Sequence, residues 1–221
     1  MHRPRVKICC IQSSAEARLA VAQGASALGL VAAMPSGPGV IAEATIARVA
    51  ATVPPPIATF LLTSIREAEG IIAQQRRCRT NTLQLCDYVD FSVYERLRAA
   101  LPGIALVQVI HVTGEESVAE AMAVADKVDA LLLDSGNQKL AVKELGGTGR
   151  THDWRLSRAI VVAVKIPVFL AGGLNPDNVA QAIEQVRPYG LDICSGVRMN
   201  GKLHKQRLEE FILKASSCVT Q

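Results

Sequence analysis

Leu131 to Trp154 reads LLLDSGNQKLAVKELGGTGRTHDW. An apolar run ends in one carboxylate, Asp134; a polar loop follows, and Gly146, Gly147 and Gly149 cluster ahead of a helix start at Asp153. Short apolar runs bounded by turn residues are typical of strands covered on both faces. The stretch therefore reads as strand, loop and helix, delivering an acid at the strand's C-terminal end with a glycine flap behind it.

The same unit recurs on either side. Toward the N-terminus, Val6 to Ile11, Ala27 to Val31, Ile57 to Leu62, Thr82 to Leu85 and Ala105 to Ile110 read as strands. Helical stretches separate them at Ala15 to Gln23, Glu43 to Ala51, Ser64 to Gln75, Val89 to Ala100 and Glu115 to Ala125. Ala130 to Leu133 is the sixth strand, and helix Asp153 to Val164 follows it. Strand Pro167 to Leu170, helix Pro176 to Val186 with proline in its first turn, strand Leu191 to Cys194 and helix Lys205 to Lys214 complete the series. Eight alternating units with almost wholly apolar strands predict an α/β chain closed as a (β/α)8 TIM barrel, one domain over residues 1–221. An open doubly wound sheet is the alternative, but no GxGxxG follows the first strand.

Composition narrows the function classes. The 24 basic and 20 acidic residues give a formal charge of +4, scattered without interleaved aromatics, which favours a small anionic ligand over nucleic acid. No apolar run approaches the ~20 residues of a membrane span. No signal-peptide pattern follows the basic Met1 to Arg5, so a cytoplasmic location is expected. The six cysteines lack paired CxxC spacing, so neither a zinc site nor a disulfide framework is expected.

A barrel keeps its chemistry where its strands end. That rule selects Cys9 and Cys10, Gln84 to Asp87, His111, Asp134, Gly172-Gly173 and Ser195-Gly196. The glycines after strands seven and eight let backbone N–H groups approach an anion, beside the Asn175-Pro176-Asp177 helix start; the competing reading is tight turns alone. Asp134 is either an acid drawn partly out of water or a loop cap. Cys9 is either a base or nucleophile, or a small core residue. Arg198 directly follows the proposed phosphate turn and is placed to meet an anion bidentately, with a solvated arginine as the alternative. Trp154 is expected to anchor the loop-to-helix joint into the barrel rim, with His152 either packing there or meeting the ligand.

Taken together, VKICC, LLLD, GGTGRTHDW, AGGLNPDNV and RPYGLDICSGV, from about Val6 to the last helix, resemble the phosphoribosylanthranilate isomerase family of tryptophan biosynthesis. The resemblance implies an Amadori rearrangement of N-(5-phosphoribosyl)anthranilate without cofactor or metal, by a monomer or homodimer. It also implies Asp134 as the acid that protonates the sugar ring oxygen and Cys9 as the base that removes the C2 proton. Phosphate is then expected on Gly172, Gly173, Ser195 and Gly196, with Gly147 to Gly149 as a lid.

Four positions depart from the family pattern. KICG has become KICC, with Cys10 in place of glycine. The SPR of the loop after strand two, whose arginine binds the anthranilate carboxylate, is Ser36-Gly37-Pro38. QLHG is Gln84-Leu85-Cys86-Asp87, and SGVE is SGVR, ending in Arg198. Acid, base and phosphate turns are kept while the aglycone side has changed. A different phosphorylated ligand, or a phosphosugar-binding protein without turnover, therefore stands as the second expectation.

Overall fold

The computed structural model describes residues 3–137, 140, 142–146 and 149–218. Its strands are β1 (Arg5–Ile8), β2 (Ala27–Val31), β3 (Ala58–Thr63), β4 (Thr82–Leu85), β5 (Ala105–His111), β6 (Ala130–Asp134), β7 (Val168–Leu170) and β8 (Gly190–Ile193). Each is parallel to its neighbour, and β1 pairs with β8, Lys7 opposite Asp192 and Ile8 opposite Ile193, so the sheet closes into a barrel. The helices are α1 (Ser14–Ala22), α2 (Glu43–Ala50), α3 (Ala68–Cys78), α4 (Phe91–Ala100), α5 (Glu116–Val124), α6 (Trp154–Ala163), α7 (Val179–Val186) and α8 (Lys205–Ser217). A short antiparallel hairpin, β9 (Arg198–Met199) and β10 (Lys202–Leu203), precedes α8. No described helix is long and apolar enough to cross a membrane.

Side chains alternate across a strand, and this alternation places the site. On β6, Leu131 and Leu133 pack outward into the helix-facing core, whereas Ala130 and Leu132 fill the barrel interior with Phe60, Val107 and Phe169. Asp134 continues the inward series at the C-terminal end of the strand. The same parity turns Lys7 and Cys9 of the first unit, Gln84 and Cys86 of the fourth, and Asp192 and Cys194 of the eighth toward the interior.

Two helices begin three or more residues later than the sequence suggests. After β3 a non-helical segment runs from Ser64 to Glu67, with the Ile65 N–H donating to Thr63 Oγ1 at 3.2 Å, and α3 starts at Ala68 rather than Ser64. Pro176 lies outside α7: Asn175 Oδ1 accepts from the Asp177 N–H at 2.8 Å, an Asx turn that delays the helix to Val179. Side-chain caps form at α1, where Ser13 Oγ accepts from the Glu16 N–H at 3.2 Å, and at α6, where Asp153 Oδ1 accepts from the Arg155 N–H at 2.9 Å.

Candidate active site

The C-terminal ends of the strands surround a cavity of about 60 Å³ that opens to solvent. Asp134 and Cys9 both line it, on strand ends three places apart around the ring (β6, β7, β8, β1). Both are buried, at 8% and 7% exposure. Asp134 Oδ1 accepts from the Ser135 N–H at 2.7 Å. Its Oδ2 lies beneath Gly146, where a Cβ would stand 2.5 Å from that oxygen on a backbone with φ +128°. Glycine at 146 is thus what lets the β6–α6 loop pass directly over the acid.

Ionic groups inside the barrel support the opposite wall. Lys7 Nζ, fully buried, is 2.9 Å from Asp192 Oδ1 and lies 5.1 Å from the Phe60 ring centre. Burial works against the charge of both partners. At Lys7 the Asp192 carboxylate outweighs burial and raises the ammonium's pKa; at Asp192 burial prevails and raises the carboxyl's. A Cβ on Gly29 would lie 2.9 Å from Cys9 Sγ and 3.1 Å from Lys7 Nζ, so the ammonium sits within a few ångströms of the thiol. The alternation in Val6-Lys7-Ile8 and Leu191-Asp192-Ile193, opposite charges buried in two otherwise apolar strands, was the signal for this pair in the sequence. Gln84, 3% exposed, also lines the cavity, and its Oε1 has no hydrogen-bond partner among the described residues.

Gly172 (φ +83°), Gly173 (φ +64°), Gly149 and Ser195 line the far side of the cavity. Gly147 lies outside the described residues. Two residues expected to contact the anion stand outside this lining. Gly196 is not in the cavity lining; a Cβ there would stand 2.1 Å from Leu174 O, so this glycine allows the turns after β7 and β8 to pack together. Arg198 is absent from the lining as well. Its guanidinium is held behind the wall by Glu16 at 3.0 Å and by Gly201 O at 3.0 Å, and it also donates to Cys10 O. Its Nη1 and Nη2 groups are thus committed to protein acceptors, while its Nε has no hydrogen-bond partner among the described residues.

The departures fall around the same cavity. Cys10 adopts φ +60°, the left-handed conformation that suits the family glycine, and its Sγ lies 2.7 Å from Cys194 Sγ. Asp87 is buried and takes Lys143 Nζ at 2.5 Å, while Ser36 Oγ donates to Lys143 O at 2.5 Å. Lys143 thus latches the β6–α6 loop to the ends of β4 and β2. Leu145 packs into the interior cluster beside it. No arginine or lysine is among the described residues lining the cavity.

His111, buried at the end of β5, places Nε2 3.0 Å from Cys86 O and is not in the lining. His152 also stands outside it, with Nε2 2.6 Å from Ser157 Oγ, and burial holds its pKa below the ordinary imidazole range. Trp154 packs against the helix-facing core, as expected for an anchor of that joint.

The family model of N-(5'-phosphoribosyl)anthranilate (PRA) isomerase matches residues 6–214. The chain belongs to this family. It is 33% identical to N-(5'-phosphoribosyl)anthranilate isomerase of Methanocella arvoryzae over 209 residues, 94% of this chain and 96% of that one. It also matches a phosphoribosylanthranilate isomerase solved in complex with reduced 1-(o-carboxyphenylamino)-1-deoxyribulose 5-phosphate, with TM-score 0.79 and 27% identity over 97% of this chain and 99% of that one. A structure of monomers generated from the dimeric Thermotoga maritima isomerase matches with TM-score 0.78 and 26% identity, over 97% and 99% of the two chains.

Proposed function

We propose that this protein catalyses the Amadori rearrangement of N-(5-phosphoribosyl)anthranilate in tryptophan biosynthesis. The observation that carries the reading is that Asp134 and Cys9 face one cavity whose far side is formed by the glycine turns after β7 and β8. Asp134 donates its proton to the ribose ring oxygen as the C1–O bond breaks, leaving a Schiff base between C1 and the anthranilate nitrogen. Cys9 then takes the C2 proton, and the resulting enol tautomerises to the ketone. Phosphate lies on the backbone of Gly172, Gly173 and Ser195. The ligand is a small phosphorylated sugar derivative, handled in the cytoplasm by a monomer or homodimer.

Incubation of the purified protein with N-(5-phosphoribosyl)anthranilate, followed by loss of anthranilate fluorescence, tests the reading; turnover no faster than the uncatalysed background rejects it. The lack of a basic side chain in the described lining favours a second reading, the same chemistry on a phosphoribosylamine without the carboxylate. A higher kcat/KM for N-(5-phosphoribosyl)aniline than for the anthranilate compound selects it.

A further inference from the structure

Two of the six cysteines meet in the wall of the cavity. Cys10 follows the end of β1 and Cys194 follows the end of β8, the strands whose pairing closes the barrel. Both line the cavity, and their sulfur atoms lie 2.7 Å apart. The approach is enforced from two sides. Pro38 O lies 3.6 Å from Cys10 Sγ, and a Cβ on Gly39 would stand 2.4 Å from Cys10 Cβ, so the loop after β2 packs directly against the Cys10 side chain. Arg198, held by Glu16, donates to Cys10 O and fixes the backbone behind it. Cys194 is partly exposed, whereas Cys10 is buried at 4% exposure.

We propose that Cys10 and Cys194 form a reversible disulfide when the protein meets a peroxide, making the cavity wall a site of oxidative modification. Cys194 is the attacking sulfur, being the more exposed of the two. Its thiolate attacks one peroxide oxygen; the O–O bond breaks, the departing hydroxide takes a proton and leaves as water, and Cys194 becomes a sulfenic acid. Cys10 Sγ then attacks Cys194 Sγ as the S–O bond breaks. The S–S bond forms, and the hydroxide leaves with the Cys10 proton as a second water. Two thiols lose two electrons and one peroxide gains them. The order of attack agrees with the electrostatics: the hydrogen bond shared with Cys10 and the nearby Arg198 charge hold the Cys194 thiol below its ordinary range, while the same hydrogen bond pushes Cys10 up.

The test uses the full chain and does not depend on its catalytic activity. Treatment with hydrogen peroxide, alkylation of the remaining thiols and a non-reducing peptide map should give one linked pair, Cys10 with Cys194, that dithiothreitol reopens. In Cys10→Gly, dimedone should trap a sulfenic acid on Cys194, and in Cys194→Ser no internal disulfide should form. Linkage through Cys9 instead, retention of all thiols, or conversion of Cys194 only to irreversible acids would overturn the proposal.

Discussion

Arg198 and Glu16 form a bidentate ion pair in which NH1 lies 3.2 Å from Oε1 and NH2 3.0 Å from Oε2, joining the exit of β8 to the first turn of α1. The arginine side chain is 8% exposed and the glutamate 15%. The same NH2 donates to Cys10 O, so the pair supports the backbone that carries Cys9. Removing one partner of a buried pair costs about 3–5 kcal/mol, because the other charge is left without compensation. Arg198→Ala should destabilise the fold by that order in chemical denaturation. Arg198→Met with Glu16→Met should recover most of the loss.

The pair also sets a pH dependence. Burial pushes the Glu16 carboxyl up, but Arg198 and the N–H groups of Leu203 and Gln12 outweigh it and hold the group below its ordinary value of 4.5. A depressed carboxylate contributes stability that is fully present above its unfolded pKa and is lost as pH falls through the folded one. The wild type should therefore lose stability relative to Glu16→Gln as pH drops below about 4.5, with the difference between them constant from pH 6 to 8. Thermal melts of both proteins across pH 3 to 8 check this.

For the proposed acid, Asp134→Asn keeps the side-chain shape and removes the transferable proton. Turnover should fall by about 10²–10⁴. Phosphate-ligand affinity, measured by calorimetry with the product or an analogue, should change little. Retained full turnover would reject the assignment.

Gly146→Ala addresses the same carboxyl from the loop. Its Cβ would meet Asp134 Oδ2 at 2.5 Å, so either the loop lifts or the acid turns. The expected outcome is a folded protein with kcat lowered at least tenfold. Wild-type kinetics would show that the loop over Asp134 is not held as described.

Lys143 is the latch of that loop. Lys143→Met leaves the Asp87 carboxylate unpaired and frees the loop from β4. KM should rise by about tenfold, or ~1.4 kcal/mol of lost binding, with a smaller change in kcat. An unchanged KM would show that the latch contributes nothing to substrate retention.

The barrel was legible because short, almost wholly apolar runs alternate with helical stretches, and inward parity also follows from sequence once the strands are set. Asp134 and Cys9 are therefore readable as cavity residues. Arg198 was not, since proximity in sequence to a phosphate turn says nothing of which way a side chain leaves it. What decides is Glu16, 182 positions away along the chain and meaningful only once β1 and β8 pair. The Lys143 latch was hidden for the same reason: its partner Asp87 lies at the end of a different strand.

The closing pair of strands carries a consequence for synthesis. A ribosome delivers β1 first and β8 nearly last, so the carbonyl of Cys10 waits for an arginine made 188 residues later. Until that arginine emerges, the nascent chain has a thiol but no finished cavity. Fragments ending before the last strand should accordingly be inert, because they lack the wall that β8 contributes to the cavity.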